Sequence, residues 1–279
     1  MRLRFFSLCQ SYSLLFCLLI AAFSSTAHSA AALFDHQHSG FTALLKQHVR
    51  WNAAGTATAV NYGAIKAARS QLDAYTSTLS AVSKAELAKF SKPQRRAFLI
   101  NAYNAFTVQL ILSKYPDLAS IKDLGGVFSS PWKKAFVPLL GSTISLDEIE
   151  HTLIRGAADF DDPRIHFAVN CASIGCPALR PEAFTADKLD AQLLDQTQRF
   201  LRDRSRNYFD AKQNTLYLSM IFKWYGSDFE RGLLGANSVA AFVSSYAASL
   251  GLSKAQLAQL KTDQIELEYT DYDWLLNKQ

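Results

Sequence analysis

The chain has 279 residues, of which 49 % are hydrophobic and 19 % are charged, so it can bury a sizeable core. Its net charge is +5, and without Arg2 and Arg4 in the first 30 residues, 27 basic residues stand against 24 acidic ones, a net +3. This mild charge, with no block of like charges, argues against nucleic acid as a partner.

The first 30 residues have the pattern of a cleavable signal peptide. Arg2 and Arg4 precede an apolar run over 12–23, and small and polar residues follow over 24–31. A run this short with such flanks is typical of a signal peptide, and an uncleaved anchor is the alternative. Cleavage predicts a protein of the periplasm or the cell exterior, with no stable membrane span.

The mature chain is expected to have a leader over 31–59 and a single domain over 60–277. The leader lacks strong hydrophobic periodicity. Apolar residues at helical spacing predict an amphipathic helix over 60–82. Ser83 and Glu86 then have the spacing of a capping box for a short helix.

A long helix is predicted from Pro93 to about Lys114, and its apolar composition indicates a central, buried position. It carries Asn101 and Asn104, which share one face. A buried amide without partners costs about 1–3 kcal/mol, so both side chains should anchor something. Either they hold neighbouring loops, or they take part in a site directly.

A hairpin over 136–145 and a helix over 145–155 are predicted next, the helix beginning with a Ser-x-x-Glu capping box. Glu150 falls within the apolar stripe of this helix, where a carboxylate needs a partner. His151 falls on the next face. A partly exposed histidine without a catalytic role is the simpler interpretation of that position.

Alternation of apolar and other residues predicts a strand over 164–170, with His166 on the side of the small residues. A loop containing Cys171 and Cys176 follows it. Four further elements are predicted: a helix over 185–204, a second hairpin formed by 207–209 and 215–219, a helix over 238–250, and a strand over 264–269. Helices with a few antiparallel strands predict a mostly helical α+β domain.

Cys171 and Cys176 are the two cysteines that remain once Cys9 and Cys17 leave with the signal peptide. In an oxidising compartment, two neighbouring thiols are expected to form a disulfide. The loop between them is short and includes Gly175, which makes closure easy.

The same loop also has the residue types of a nucleophilic site. A reactive thiol needs a nearby base, and that base needs an orienting acid or amide. Cys171, His166 and Glu150 supply these types, although their mutual geometry is a matter of tertiary structure.

Neither a metal nor a cofactor is predicted. Zinc ligand types occur together, but their spacing matches no usual zinc module; they are His151, His166, Cys171 and Cys176. No glycine-rich phosphate loop or dinucleotide fingerprint is present.

The chain resembles the family known as domain of unknown function 547. Matching stretches occur in family order over about 60–277: Phe98–Ala105, Ser130–Trp132, Leu146–His151, Arg155, Asp162–Ala168, Asn170–Pro177, Phe222–Tyr225, Asp228–Phe229 and Tyr272–Asn277. The resemblance implies a fold related to cysteine peptidases and transglutaminase-like hydrolases. It also implies a Glu–His–Cys arrangement, which falls on Glu150, His166 and Cys171.

Two functions remain open. The first is a cysteine-dependent hydrolase or acyltransferase that acts on a peptide or other amide. In it Cys171 attacks, His166 transfers protons, Glu150 orients His166, and backbone N–H groups with the Asn101 or Asn104 amide stabilise the oxyanion. The second is a non-catalytic envelope protein with a structural or redox-switching Cys171–Cys176 disulfide.

Overall fold

The computed structural model describes Met1 and residues 33–126 and 129–279. The predicted signal peptide, apart from Met1, lies outside the described residues. From Phe34 to Gln279 the chain forms one compact unit of helices and small sheets. Within the described residues, no helix combines the length and apolar character needed to cross a bilayer.

The α-helices, in chain order, are α1 Ser39–His48, α2 Tyr62–Ala67, α3 Arg69–Ala81, α4 Lys84–Leu87, α5 Lys92–Leu112, α6 Leu189–Arg202, α7 Met220–Trp224, α8 Gly226–Phe229, α9 Val239–Ser244, α10 Ala247–Leu250 and α11 Lys254–Lys261. A π-helix covers Glu148–Ile154. Short 3-10 helices cover Ile121–Leu124, Pro131–Lys133, Pro163–Phe167 and Leu233–Gly235.

The strands are β1 Val49–Trp51, β2 Thr58–Val60, β3 Val137–Leu139, β4 Ser142–Ile144, β5 Tyr208–Asp210, β6 Thr215–Ser219 and β7 Glu266–Thr270. β1 with β2 and β3 with β4 form antiparallel hairpins, and the third sheet has the order β5-β6-β7. Both predicted hairpins are confirmed, since β5 also pairs antiparallel with β6.

The last strand differs from the expectation of antiparallel pairing, because β7 lies parallel to β6. The intervening chain forms α7 to α11, and a crossover of this length returns the strand in the same direction. The observed fold is α+β, with small sheets that include this one parallel pair.

Helix α5 is the centre of the larger hydrophobic core, as its sequence predicts. Ser91 caps its N-terminus by accepting from the Gln94 N–H, and Pro93 lies in the first turn. Almost every residue from Ala97 to Leu112 is buried. The predicted capping box of Ser83 and Glu86 also forms, at the start of α4.

The segment expected as a leader is part of this unit from Phe34 onward. It forms α1 and the β1–β2 hairpin, and Phe41, Leu44 and Leu45 are buried in the core. A ten-residue helix shows few turns of periodicity, which is why its sequence alone does not indicate packing.

Two predicted elements near the site are wrong in detail. The helix expected over 60–82 is broken at Ala68 into α2 and α3. The strand expected over 164–170 is a 3-10 helix from Pro163 to Phe167, because the Asp162 side chain caps the Arg164 N–H at 3.0 Å and proline favours a helix start. The alternation of apolar and other residues does not indicate a strand here, because all five residues of this helix are buried.

Candidate functional site

The loop that carries the cysteines is fixed by hydrogen bonds on both sides. Asn104 of α5 donates to the Ala168 carbonyl at 2.9 Å and accepts from the Asn170 N–H at 2.8 Å. Asn170 in turn donates to the Pro177 carbonyl at 2.6 Å and accepts from the Ala172 N–H at 2.9 Å. The ends of the loop are thereby held against the central helix.

Asn101 has the same anchoring role one turn earlier on α5. Its amide donates to the Phe184 carbonyl at 2.7 Å and accepts from the Phe184 N–H at 3.0 Å. Both asparagines are buried and bonded to backbone, which supports the interpretation that they anchor loops. Neither lines the cavity described below, so the structure does not support their expected part in an oxyanion site.

The C-terminal segment lies along the other side of the cysteine loop. The Ile174 N–H donates to the Leu275 carbonyl and the Gly175 N–H to the Asp273 carbonyl, both at 2.8 Å. The Asn277 N–H donates to the Ala172 carbonyl at 3.0 Å. The loop is therefore held like a short strand against the end of the chain.

Cys171 and Cys176 form a disulfide, one of the two states that the sequence leaves open. The Tyr272 hydroxyl lies 3.2 Å from the Cys171 Sγ and 3.1 Å from the Cys176 Sγ. The Cys171 N–H donates to the Cys176 Sγ at 2.9 Å. The residue after Cys171, Ala172, has φ 65°, a left-handed conformation that costs a non-glycine residue about 1–2 kcal/mol and often marks a functional site.

Gly175 allows Tyr272 to lie this close to the disulfide. A Cβ at this position would lie 3.0 Å from the Tyr272 ring and 3.0 Å from the Asp273 carbonyl oxygen. We expect Gly175→Ala to lower the free energy of unfolding by about 1–3 kcal/mol, because the neighbouring backbone must shift. Urea unfolding measures the change. Gly40→Ala in α1 is the matched control, because nothing lies within 4 Å of its Cβ position; an equal loss there would contradict the packing argument.

His166 is buried, and its orienting carboxylate is that of Asp228. The His166 Nε2 lies 2.8 Å from the Asp228 Oδ2, and the Arg155 Nε donates to the same oxygen at 2.6 Å. The Arg231 Nη2 lies 3.0 Å from the other oxygen, Oδ1. The imidazole stacks on the Tyr225 ring, with ring centroids 3.9 Å apart.

The charges around His166 define its tautomer. Burial alone would raise the pKa of Asp228, but hydrogen bonds from His166 and Arg155 bring that pKa well below its ordinary value. Burial lowers the pKa of His166, although the Asp228 hydrogen bond opposes this effect. Asp228 is therefore the acceptor and the His166 Nε2 carries the proton. The His166 Nδ1, which has no hydrogen-bond partner among the described residues, keeps its lone pair.

Glu150 is buried, as predicted, but it does not orient His166. Its Oε1 accepts from the Tyr225 hydroxyl at 2.6 Å. Burial and the nearby Glu150 carboxylate raise the pKa of Tyr103. The expectation that Glu150 holds the imidazole is wrong in geometry, because Asp228 occupies the Nε2 position and the Nδ1 has no hydrogen-bond partner among the described residues.

The π-helix presents Glu150 and its neighbour His151 to different surroundings. The i+5 bond from the Arg155 N–H to the Glu150 carbonyl, at 2.9 Å, widens the turn, and such helices are frequent at functional sites. The His151 Nδ1 accepts from the Arg155 Nη1 at 2.8 Å, while its Nε2 lies 3.7 Å from Asp147. His151 thus supports Arg155, the residue that holds Asp228.

One cavity of about 330 Å³ brings the predicted residues together. Its polar lining includes Asp147, Glu150, His151, His166, Cys171 and Cys176. Its aromatic lining is Tyr103, Trp132, Trp224, Tyr225, Tyr272 and Trp274. The Cys171–Cys176 disulfide, the imidazole of His166 and the buried carboxylate of Glu150 therefore line a single space. Within the described part of the chain, no group of three or more acidic, histidine or cysteine side chains is arranged to hold a metal ion.

Sequence reasoning did not identify Asp228, Tyr225 or Tyr272 as site residues. All three lie far along the chain from the cysteine loop. Asp228 lies in the first turn of α8, where acidic residues are common, so hydrophobic periodicity does not mark it as a site residue. Only the fold places it behind His166.

The arrangement defines the class: an α+β domain with a cysteine loop, a histidine–aspartate pair and an aromatic cavity. Residues 87–201 match the model of the family described as "Protein of unknown function, DUF547". The match includes Asn101, Glu150, His166 and Cys171, and it ends before Asp228. Searches of curated proteins and of solved structures found no match.

Proposed function

We propose that this chain is an exported cysteine-dependent amide hydrolase or acyltransferase that is inactive while Cys171 and Cys176 are joined. The observation that carries the proposal is the His166–Asp228 pair, whose free Nδ1 belongs to a residue lining the same cavity as Cys171. Kinship with the cysteine peptidase and transglutaminase folds, implied by the family resemblance, is part of this proposal.

Reduction is the first step. A dithiol donates two electrons and two protons, the Sγ–Sγ bond breaks, and Cys171 and Cys176 become thiols while the donor becomes a disulfide. The Tyr272 hydroxyl, which contacts both sulfur atoms of the disulfide, then contacts the two thiols.

Acyl transfer follows from the free thiol. His166 accepts the Cys171 proton, and the thiolate attacks the amide carbonyl carbon to form a C–S bond. The C–N bond breaks as His166 returns the proton to the leaving amine. Water, or a second amine, then attacks the thioester and regenerates the Cys171 thiol. Asp228 keeps the imidazole in the required tautomer throughout.

The test measures the alkylation rate of Cys171 by iodoacetamide in the reduced chain, with the labelled peptide identified by mass. We expect His166→Ala to slow this reaction at least about tenfold, because the imidazole raises the thiolate fraction. His48→Ala, which removes a histidine outside the cavity, should leave the rate unchanged.

The labelling experiment also has an outcome that would sink the proposal. If reduced wild type and His166→Ala react at the same rate, Cys171 is an ordinary thiol. His166→Asn, which keeps a polar group against Asp228, replaces the alanine variant if that variant does not fold.

A non-catalytic envelope protein is the second candidate, and the disulfide favours it. Here the bond would fasten the loop to the rest of the domain, either permanently or as a redox switch. This candidate predicts that reduction changes the free energy of unfolding and that the alkylation rate of Cys171 does not depend on His166.

A further inference from the structure

We infer that the cavity binds an organic ammonium group, of the size of a lysine side chain, between its aromatic wall and Glu150. The inference names the substrate class of the site proposed above, and it rests on that function only in calling the ligand a substrate. Binding itself requires neither a free thiol nor turnover.

The charge of the lining is the first observation. Among the described residues, the cavity is lined by two carboxylates, Asp147 and Glu150, and by no lysine or arginine. Burial lowers the pKa of His166, so this lining histidine adds little positive charge. A cation entering this space is therefore attracted by two carboxylates, which belong to the same helical segment.

Glu150 carries the second observation. It is only 5 % exposed, and within residues 33–126 and 129–279 no lysine, arginine or histidine nitrogen lies within 4.0 Å of its oxygens. Its hydrogen-bond partner is a neutral group, the Tyr225 hydroxyl, at 2.6 Å. A buried carboxylate without a counter-ion is costly, and a cationic ligand would supply the missing charge.

The aromatic wall is the third observation. Trp224, Tyr272 and Trp274 pack against one another, with ring centroids 4.5–5.7 Å apart, and Trp132 meets Trp274 edge to face at 5.8 Å. Trp224 is 44 % exposed, although burying such a ring is favourable.

This wall already accepts an ammonium group from the chain itself. The Lys122 Nζ lies 3.8 Å from the centre of the Trp274 ring. Aromatic faces attract ammonium groups electrostatically, and a set of such faces beside a carboxylate is a recurring way to bind them. Nearby Arg155 does not compete for Glu150, because it is paired with Asp228.

Binding can be measured by calorimetry on the full chain in its disulfide form. The probes are N-acetyl-lysine methylamide and its neutral analogue, N-acetyl-norleucine methylamide. We expect the lysine probe to bind at least about tenfold more tightly, and its affinity alone to weaken with added salt. Quenching of the fluorescence of Trp132, Trp224 and Trp274 would place it in the cavity.

Glu150→Gln removes the charge but keeps an acceptor for Tyr225. It should weaken the lysine probe about tenfold and leave the norleucine probe unchanged. Glu268→Gln on β7, an exposed site outside the cavity, is the matched control. If Glu150→Gln does not fold, the comparison of the two probes on wild type decides.

Equal binding of the two probes, or no binding of either, would overturn the inference. Binding that survives Glu150→Gln unchanged would also overturn it. These outcomes are separate from those of the labelling experiment. If the chain binds the lysine probe but the alkylation rate of Cys171 does not depend on His166, only the catalytic proposal is contradicted.

Discussion

Replacing Asp228 with alanine should lower the free energy of unfolding by about 3–5 kcal/mol at neutral pH, because it leaves buried polar groups unpaired. The Asp228 side chain is fully buried and pairs with His166, Arg155 and Arg231. Chemical unfolding at fixed pH measures the loss. Asp271→Ala removes an exposed aspartate from the same half of the chain, and it should change stability little.

The effect of Asp228 should depend on pH in a defined direction. Its pKa in the folded chain is below the ordinary 3.8, so its contribution is fully present above pH 3.8 and is lost as the pH falls toward the folded value. The difference in the free energy of unfolding between wild type and Asp228→Ala should therefore become smaller below pH 3.8. A difference that stays constant through that range, or a loss below 1 kcal/mol at neutral pH, would contradict the buried ion-pair account.

Wild type carries a second acid-sensitive group in His166. Its pKa in the folded state is below the ordinary 6.5, so folding disfavours the protonated ring. Stability should fall as the pH drops below 6.5, until the lowered folded pKa is reached. His166 and Asp228 thus both make the domain less stable in acid.

Removing Cys176 should convert Cys171 from an unreactive half-cystine into a free thiol. In Cys176→Ala, we expect the peptide containing Cys171 to be labelled completely by iodoacetamide without reductant, whereas wild type should show almost no label there. The reason is that Cys171 is joined to Cys176 in the folded chain. Labelling is quantified by peptide mass, which keeps the result independent of Cys9 and Cys17.

Amide hydrolysis can be followed in parallel with the same variants. If the catalytic proposal holds, Cys176→Ala is active without reductant and Cys171→Ala is inactive under all conditions. A loss of about 10³-fold or more is typical when a nucleophile is removed. Full labelling of Cys171 in oxidised wild type would show that the disulfide does not control this thiol.

Local sequence identified several features that the structure bears out. The apolar stretch of α5, its start at Ser91 and Pro93, and the burial of Asn101 and Asn104 follow from helical spacing and the cost of unpaired amides. The two hairpins follow from turn length, and the short loop allows the Cys171–Cys176 bond without requiring it. These features depend on residues close together in the chain.

Tertiary structure decided which carboxylate holds His166. The sequence placed Glu150 in a core and His166 before a thiol, but a hydrogen bond of 2.8 Å to Asp228 joins positions 62 residues apart. Periodicity also misread the segment before Cys171, because a segment buried on all sides shows alternation without being a strand. Contacts between distant segments depend on how helices and loops pack, and one-dimensional spacing carries no measure of that packing.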